Sequence, residues 1–495
     1  MKKQTRFNKM SLFIGDDVNS HFKPMINSSH KKIVYLVSHG FAARMLTQTN
    51  LIGKLSANGN TLSLICPDSN DPVLKAYCQE WNINLLSFKS NKYIWRTNYS
   101  LYRTYFLEDV KSNQALFEKH YYEMHRMKSR FAFLKFVPRF LIIVHVVFCK
   151  FPFLKRLYSW LEKLLLKDQQ AVELLNKLAP DIVISTYPAN IQEGVLLFNA
   201  SRKKIKTVIH LLSWDNITSK GRFYSMADHY MVWGPIMRKE LQQYYSILNE
   251  NIFECGVPHF DLHHQIKTDL NRDQYILDTG IQKNKPYLLF GMSSPRFVPC
   301  EIDIVENLAA KIENDFFGPD LQMLIRPHPQ NVQGGMADKS WLPRLQKLES
   351  KRVRVFYPLL AESKMPWSME RLDMNKLAAA LSGCLVCINS CSTLSIDALM
   401  AEKSSIAPMF DGHQTLPYWS SAKRLLKYIH IDKLIQFKGI EVADNYNEMD
   451  HLIKMYQTNA EEHYQIAKYA KIQECGMDDG MATEKVIACV ERLVS

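Results

Sequence analysis

The segment that decides the fold is KKIVYLVSHGFAARMLTQTNLIGKLSANGNTLSLICPD, residues Lys31–Asp68. IVYLV is a continuous apolar run rich in β-branched residues, as expected of a strand buried on both faces. Leu46, Leu51, Ile52 and Leu55 then mark one helical face, SANGN ends the helix, and LSLIC supplies the next strand. Strand, loop, helix and strand in that order predict a parallel pair joined by a helical crossover.

The alternation recurs downstream. Helices are expected at Asp168–Leu178 and Asn190–Ser201 around the strand DIVIST, followed by strands KTVIHLLS and HYMVWG and a helix at Pro235–Tyr245. After the polar stretch KTDLNRDQYILDTGIQKNK (Lys267–Lys285) it resumes with strand PYLLFGM, helix Glu301–Asn314, strands LQMLIR and VRVFY, helix MNKLAAAL, strand CLVCINS, helix TLSIDALMAE and strand SSIAPMF. The fold class is therefore α/β, with parallel sheets covered by helices. At 495 residues the chain exceeds one ordinary hydrophobic core. The expected organisation is a polar extension over 1–30, a Rossmann-like unit over 31–275, a second over 284–475, and a C-terminal helix over 476–495.

Hydrophobic residues at 47% and charged ones at 22% fit a globular protein. Ten cysteines, with no apolar stretch behind MKKQTRF, suggest a reduced, cytoplasmic compartment. The net charge of +13 asks for acidic partners. No zinc finger, basic zipper or RNA-recognition signature accompanies it, so no nucleic acid partner is expected. The nine apolar residues FLIIVHVVF (Phe140–Phe148) are too few to span a bilayer. Between residues 128 and 163, however, aromatics alternate with lysine and arginine. That mixture suits contact with an anionic membrane surface, and it equally suits core-packed helices with solvated basic faces.

Ligands of open parallel sheets bind at the carboxyl ends of the strands. After IVYLV stand Ser38, His39 and Gly40, with Arg44 one turn on. After KTVIHLL stand Ser213-Trp214-Asp215-Asn216-Ile217-Thr218-Ser219-Lys220-Gly221. His39 and Asp215 are the candidate bases, and Trp214, Asn216 and Gly40 the candidate acceptor contacts. Turn chemistry alone accounts for much of such a loop. In the second half the strand ends carry Gly291, Ser293, Ser294 and Arg296, then Arg326-Pro327-His328-Pro329, then Ser390, Ser392 and Thr393 before a helix that contains Asp397. Hydroxyls, open amides and cations in this arrangement suit phosphates, and Asp397 suits ribose hydroxyls. The two prolines hold Arg326 and His328 in extended backbone, a stiff cationic pair.

Other chemistries lack their signatures. There is no Walker A motif, GxGxxG, HExxH or GxSxG. Cys384 and Cys387 fall inside a strand as small hydrophobes, and His259, His263 and His264 beside Asp261 do not complete a metal site. No Asp-x-Asp occurs. Neither a metal nor an organic cofactor is expected.

Two Rossmann-like halves, RPHP after a strand, and the run NSCSTLSIDALM (Asn389–Met400) resemble the GT-B glycosyltransferases of bacterial surface polysaccharide synthesis. The similarity is to the group holding capsule Kdo transferases, polysialyltransferases and CDP-glycerol glycerophosphotransferases. The resemblance implies two domains facing each other across a cleft. It also implies a nucleotide-sugar donor with a pyrimidine nucleotide favoured, and a glycan or lipid-linked acceptor at the inner face of the cytoplasmic membrane. It places Arg326, His328, Ser392 and Thr393 on the donor phosphates, with Ser293 and Arg296 nearby. The group commonly has Glu-Ala where this chain has Asp397-Ala398, so a ribose contact here would be shorter. The alternatives are a glycerophosphotransferase, a sugar-nucleotide epimerase of similar fold and a non-catalytic membrane-surface scaffold.

Overall fold

The structure is a computed structural model, which describes residues 30–90, 96–126, 137–332, 340–365, 368–390, 392–476 and 479–495. The expected extension up to residue 29, and residues 128–136 of the basic aromatic segment, lie outside the described residues.

Among the described residues thirteen strands form two parallel sheets. The first contains β1 (Lys32–Leu36), β2 (Thr61–Cys66), β3 (Asn84–Ser87), β4 (Ile182–Ser185), β5 (Lys206–His210), β6 (His229–Val232) and β7 (Ile252–Glu254), in the order β3-β2-β1-β4-β5-β6-β7. The second contains β8 (Tyr287–Gly291), β9 (Gln322–Arg326), β10 (Val353–Val355), β11 (Val386–Ile388), β12 (Ser405–Pro408) and β13 (Glu441–Ala443), in the order β10-β9-β8-β11-β12-β13. Both are doubly wound, as the alternation predicts. Strand order reverses between β1 and β4 in one sheet and between β8 and β11 in the other, and such switch points open a crevice for ligands.

The central strands are the ones whose side chains are dry on both faces. β4 and β8 are buried throughout, and each large aliphatic side chain so buried stabilises the fold by roughly 1.5–3 kcal/mol. β3, β7 and β13 lie at or near the sheet edges, are three or four residues long and are only partly buried. They carry no continuous apolar run, which is why the sequence pattern does not announce them.

Among the described residues five helices lie between β3 and β4: Arg96–Leu107, Gln114–Arg126, Val137–Lys150, Pro152–Leu166 and Gln169–Leu178. The first three share a small core of Tyr105, Val110, Leu116 and Leu141, and the Arg103 guanidinium ties the first to the Phe223 carbonyl at 2.7 Å. The polar stretch Lys267–Lys285 is partly ordered: helix Arg272–Leu277 packs on helix Arg371–Gly383 of the second unit.

The chain then crosses back. Helix Tyr446–Cys475 leaves the second sheet, bends where Asn459 departs from helical φ/ψ, and lies along helix Pro235–Tyr245 of the first unit. At the crossing a Cβ on Gly234 would stand 2.5 Å from the Gly476 nitrogen, so this contact requires glycine. The final helix, Ala482–Val494, seats on the first unit, where Asp261 accepts from the amides of Ala482 and Thr483 at 2.9 and 2.8 Å.

Candidate active site

The first switch point is built around a buried carboxylate. Glu193, in the first turn of helix Ile191–Arg202, accepts from the Ser185 hydroxyl at 2.7 Å and from the amides of Thr186 and Tyr187 at 2.8 and 2.7 Å. The Thr186 hydroxyl donates to the Leu36 carbonyl at 2.8 Å and so joins the β4 loop to β1. Tyr187, fixed in this way, stacks on the His39 ring at 4.9 Å and 12°. Burial, and then Lys220, push the His39 pKa down to about 4 against the opposing effect of Asp215. The ring is neutral at pH 7, and its Nδ1 is buried without a hydrogen-bond partner among the described residues.

The loop after β5 folds around Asp215. Its carboxylate accepts from the hydroxyls of Ser213 at 2.7 Å and Ser219 at 3.0 Å, and pairs with the Lys220 ammonium at 2.8 Å. Burial by itself would raise its pKa. Lys220, the His430 ring and the hydrogen bonds from Lys220 and Ser213 outweigh that and hold the carboxyl well below the ordinary carboxylate range. Asp215 is a standing negative charge with little appetite for a proton. His39 takes a proton more readily, although its own pKa is also depressed.

The candidate acceptor contacts are placed differently from one another. Asn216 is buried and accepts from the Ser213 amide at 2.8 Å, holding the loop. Trp214 is buried against the His430 ring at 4.7 Å. Gly40 is buried as the first residue of helix Gly40–Gln48. The open groups on this side are His39, Tyr187, Asp215 and Lys220.

A second buried carboxylate organises the other switch point. Glu301, at the start of helix Glu301–Glu313, accepts from the Ser293 amide at 2.6 Å and the Ser390 hydroxyl at 2.5 Å, linking the loops after β8 and β11. Burial raises its pKa to about 7 against those two hydrogen bonds. Gly291 lets the strand end approach the next helix, because a Cβ there would fall 2.0 Å from Leu394. Asn389 accepts from the amide and hydroxyl of Ser392 at 2.9 and 3.2 Å and from Ser395 at 2.9 Å, while Thr393 is half-buried just ahead of helix Leu394–Met400.

Arg326 and His328 do not form the expected cationic pair. The Arg326 guanidinium is bound by Asp373 and lies over the Phe356 ring at 4.2 Å. His328 accepts at Nδ1 from the Gln330 amide at 3.1 Å, which puts the ring proton on Nε2, and burial then Arg326 lower its pKa to about 4. The prolines thus set up a neutral imidazole donor beside a charge already balanced. Next to it, Ser294 Oγ, Gln330 Oε1 and Asn331 Oδ1 are buried without partners among the described residues. Buried polar atoms are nearly always satisfied, so three orphans at one sheet end mark a place where a polar ligand would complete the bonding.

Asp397 faces a different set of groups. Its Oδ1 lies 3.0 Å from His263 Nε2 and 3.4 Å from His259 Nε2. The histidine cluster seen in the sequence therefore meets this carboxylate, with Asp261 occupied by the C-terminal helix. Beside it, Arg44, His259, Arg371 and Met374 line a cavity of about 300 Å³.

The two switch points look onto one cleft. His430, on helix Ile429–Gln436, reaches the loop after β5. Arg424 binds Glu118, and Arg296, exposed after β8, lies over Tyr122 at 5.4 Å. Glu193, Glu301, Lys119, Lys220 and His430 received no role from sequence reasoning. Glu193 left a trace there as the third residue after the helix cap Asn190, the spacing of a capping box, and Lys220 as part of the polar run after β5.

Two parallel α/β units with facing strand ends define the GT-B type of fold. Neither a family model nor a curated relative matches the sequence. Solved structures do match over nearly the whole length. One is from Listeria monocytogenes, provisionally assigned as a UDP-N-acetylglucosamine 2-epimerase, at 11% identity and TM-score 0.54, covering 94% of this chain and 96% of that one. The UDP-GlcNAc 2-epimerase of Neisseria meningitidis bound to UDP-GlcNAc follows at 11% identity and TM-score 0.51, over 93% and 99%. S. aureus MnaA with UDP gives 10% and 0.51, over 93% and 96%. At these identities the likeness concerns the fold.

Proposed function

We propose that this protein is a glycosyltransferase that moves a sugar from a nucleotide-activated donor to a glycan or lipid-linked acceptor of the cell envelope. The observation that carries this reading is the opposition of two switch points across one cleft, one rich in orphaned polar atoms and the other holding His39 and Asp215. The nucleotide docks at the ends of β8, β9 and β11. There His328 Nε2–H and the hydroxyls of Ser293, Ser294, Ser392 and Thr393 serve its phosphates. Gln330 and Asn331 accept from its hydroxyls or base amides, and a pyrimidine base is favoured. Arg326 contributes through Asp373-bound positioning, and Asp397 takes the ribose with the oxygen left free by His263. The acceptor hydroxyl enters from the first sheet. His39 takes its proton, and the fixed negative charge of Asp215 stabilises the imidazolium that forms.

The protein works at a membrane surface in this reading. No described helix is long and apolar enough to cross a membrane. Yet the hairpin of helices Val137–Lys150 and Pro152–Leu166 turns apolar side chains outward: Phe140, Ile143, Phe153 and Trp160 are 63%, 62%, 61% and 59% exposed. Arg139, Lys150, Arg156 and Lys163 are exposed around them. Apolar bulk ringed by cations suits an anionic leaflet.

The names of two neighbours favour a second reading, a sugar-nucleotide epimerase. Incubation with a panel of nucleotide sugars separates the two. The transferase reading expects nucleotide release only when an acceptor extract is added. Interconversion of donor epimers without acceptor would establish the epimerase instead.

A further inference from the structure

Charge on the first-sheet side of the cleft is unbalanced. Lys220 is paired with Asp215 at 2.8 Å, and Arg424 with Glu118 at 3.2 Å. Among the described residues, Lys119 and Arg296 have no carboxylate at ion-pair distance. Lys119 donates to the Ser219 carbonyl at 2.6 Å, using one of its three donors. The Arg296 guanidinium rests against Tyr122 and Phe297 at 5.4 and 5.8 Å.

Geometry gathers these cations: Ser219, whose carbonyl accepts from Lys119, directly precedes Lys220, and Tyr122, under Arg296, stands about one turn after Lys119 in the same helix. Lys220 and Arg296 both act on Lys119, Arg296 acts on Lys220, and Lys220 acts on His39 and Tyr187. Lys119, Lys220 and Arg296 are all exposed. Neighbouring protein, and then Lys220, lower the Lys119 pKa against the pull of Asp215. Like charges gathered at one place repel, and an anion entering among them relieves the repulsion.

We propose that Lys119, Lys220 and Arg296 form a binding site for an anionic group, a phosphate or a carboxylate, carried by the acceptor. This rests on the transferase reading above and names its acceptor class. The site belongs to the acceptor because Lys119 and Lys220 stand on the first unit beside His39 and Asp215, while the orphaned atoms given to the nucleotide lie at the end of the second sheet. Lys119 comes from helix Gln114–Arg126, which packs on the outward-facing hairpin, so an acceptor held at a membrane arrives on this side.

The test is calorimetric titration at fixed ionic strength with inorganic phosphate and, separately, D-glucuronate, on the full chain and on Lys119→Gln and Lys119→Glu. A panel of UDP, CDP, CMP and GDP serves as the control for the donor side. We expect one anion to bind the parent protein. Each variant should weaken that affinity at least about tenfold while nucleotide affinity stays within about twofold. A response to phosphate assigns phosphoryl acceptors, and a response to glucuronate assigns carboxylate ones. Unchanged anion affinity in both variants, no response to either anion, or a parallel loss of nucleotide affinity would each overturn the site. Variant-sensitive anion binding with no nucleotide bound by the parent would leave the site standing and contradict the donor reading.

Discussion

Asp215 and Lys220 form an ion pair at 2.8 Å within the loop after β5, and that pair acts on the imidazole of His39, which follows β1 two strands away in the same sheet. The lysine keeps the carboxylate ionised and, after burial, adds to what keeps the histidine neutral. A neutral ring beside a fixed negative charge can receive a proton and have the resulting imidazolium stabilised.

Asp215→Asn removes that negative charge with little change of shape. Turnover should fall about 100-fold, the order seen when one preorganised electrostatic group is lost, with nucleotide affinity unchanged. A pre-steady-state assay with saturating donor measures it.

Glu301 ties stability to pH. Its folded pKa of about 7 lies above its ordinary 4.5, so the fold holds a proton that the unfolded chain releases. Its favourable contribution is complete below pH 4.5 and is lost as pH rises through 7. Glu301→Gln should therefore gain stability relative to the parent between pH 4.5 and 8, by up to about 3 kcal/mol. Denaturant melts across that range check the sign.

The second sheet shows how much of this was legible. β8, β9 and β11 announce themselves because a strand buried on both faces must be a continuous apolar run, and the residues after such runs are easy to find. β13, like β3 and β7, is short and only partly buried, and nothing in its local pattern separates it from a loop. The state of Arg326 and His328 was hidden as well. Asp373, which binds Arg326, lies 47 residues further along, and the partner of a buried charge cannot be read from spacing. Lys119 is harder still, since it reaches the cleft from an inserted helix and meets Ser219 across 100 residues.

Gly234→Ala probes the return crossing. The added Cβ would meet three backbone atoms of residues 474–476 within 2.9 Å. Backbone cannot move aside as a side chain can, so a loss of about 1–3 kcal/mol is expected, read as a lower melting temperature.

The outward apolar face should matter for lipid and not for folding. Replacing Ile143, Phe153 and Trp160 together by serine should leave the melting temperature within about 2 °C, because surface substitutions cost little. The same change should abolish flotation with phosphatidylglycerol vesicles while binding to neutral vesicles stays low.

The most direct test of the central claim is a thermal-shift screen with UDP, CMP, CDP, GDP and ADP on the parent protein and on Ser294→Ala combined with His328→Ala. We predict that one pyrimidine nucleotide stabilises the parent by several degrees at saturating concentration and that the double variant, folded and melting normally alone, loses the response. No stabilisation by any nucleotide, or an undiminished response in the double variant, would contradict the placement of a nucleotide donor at the ends of β8, β9 and β11.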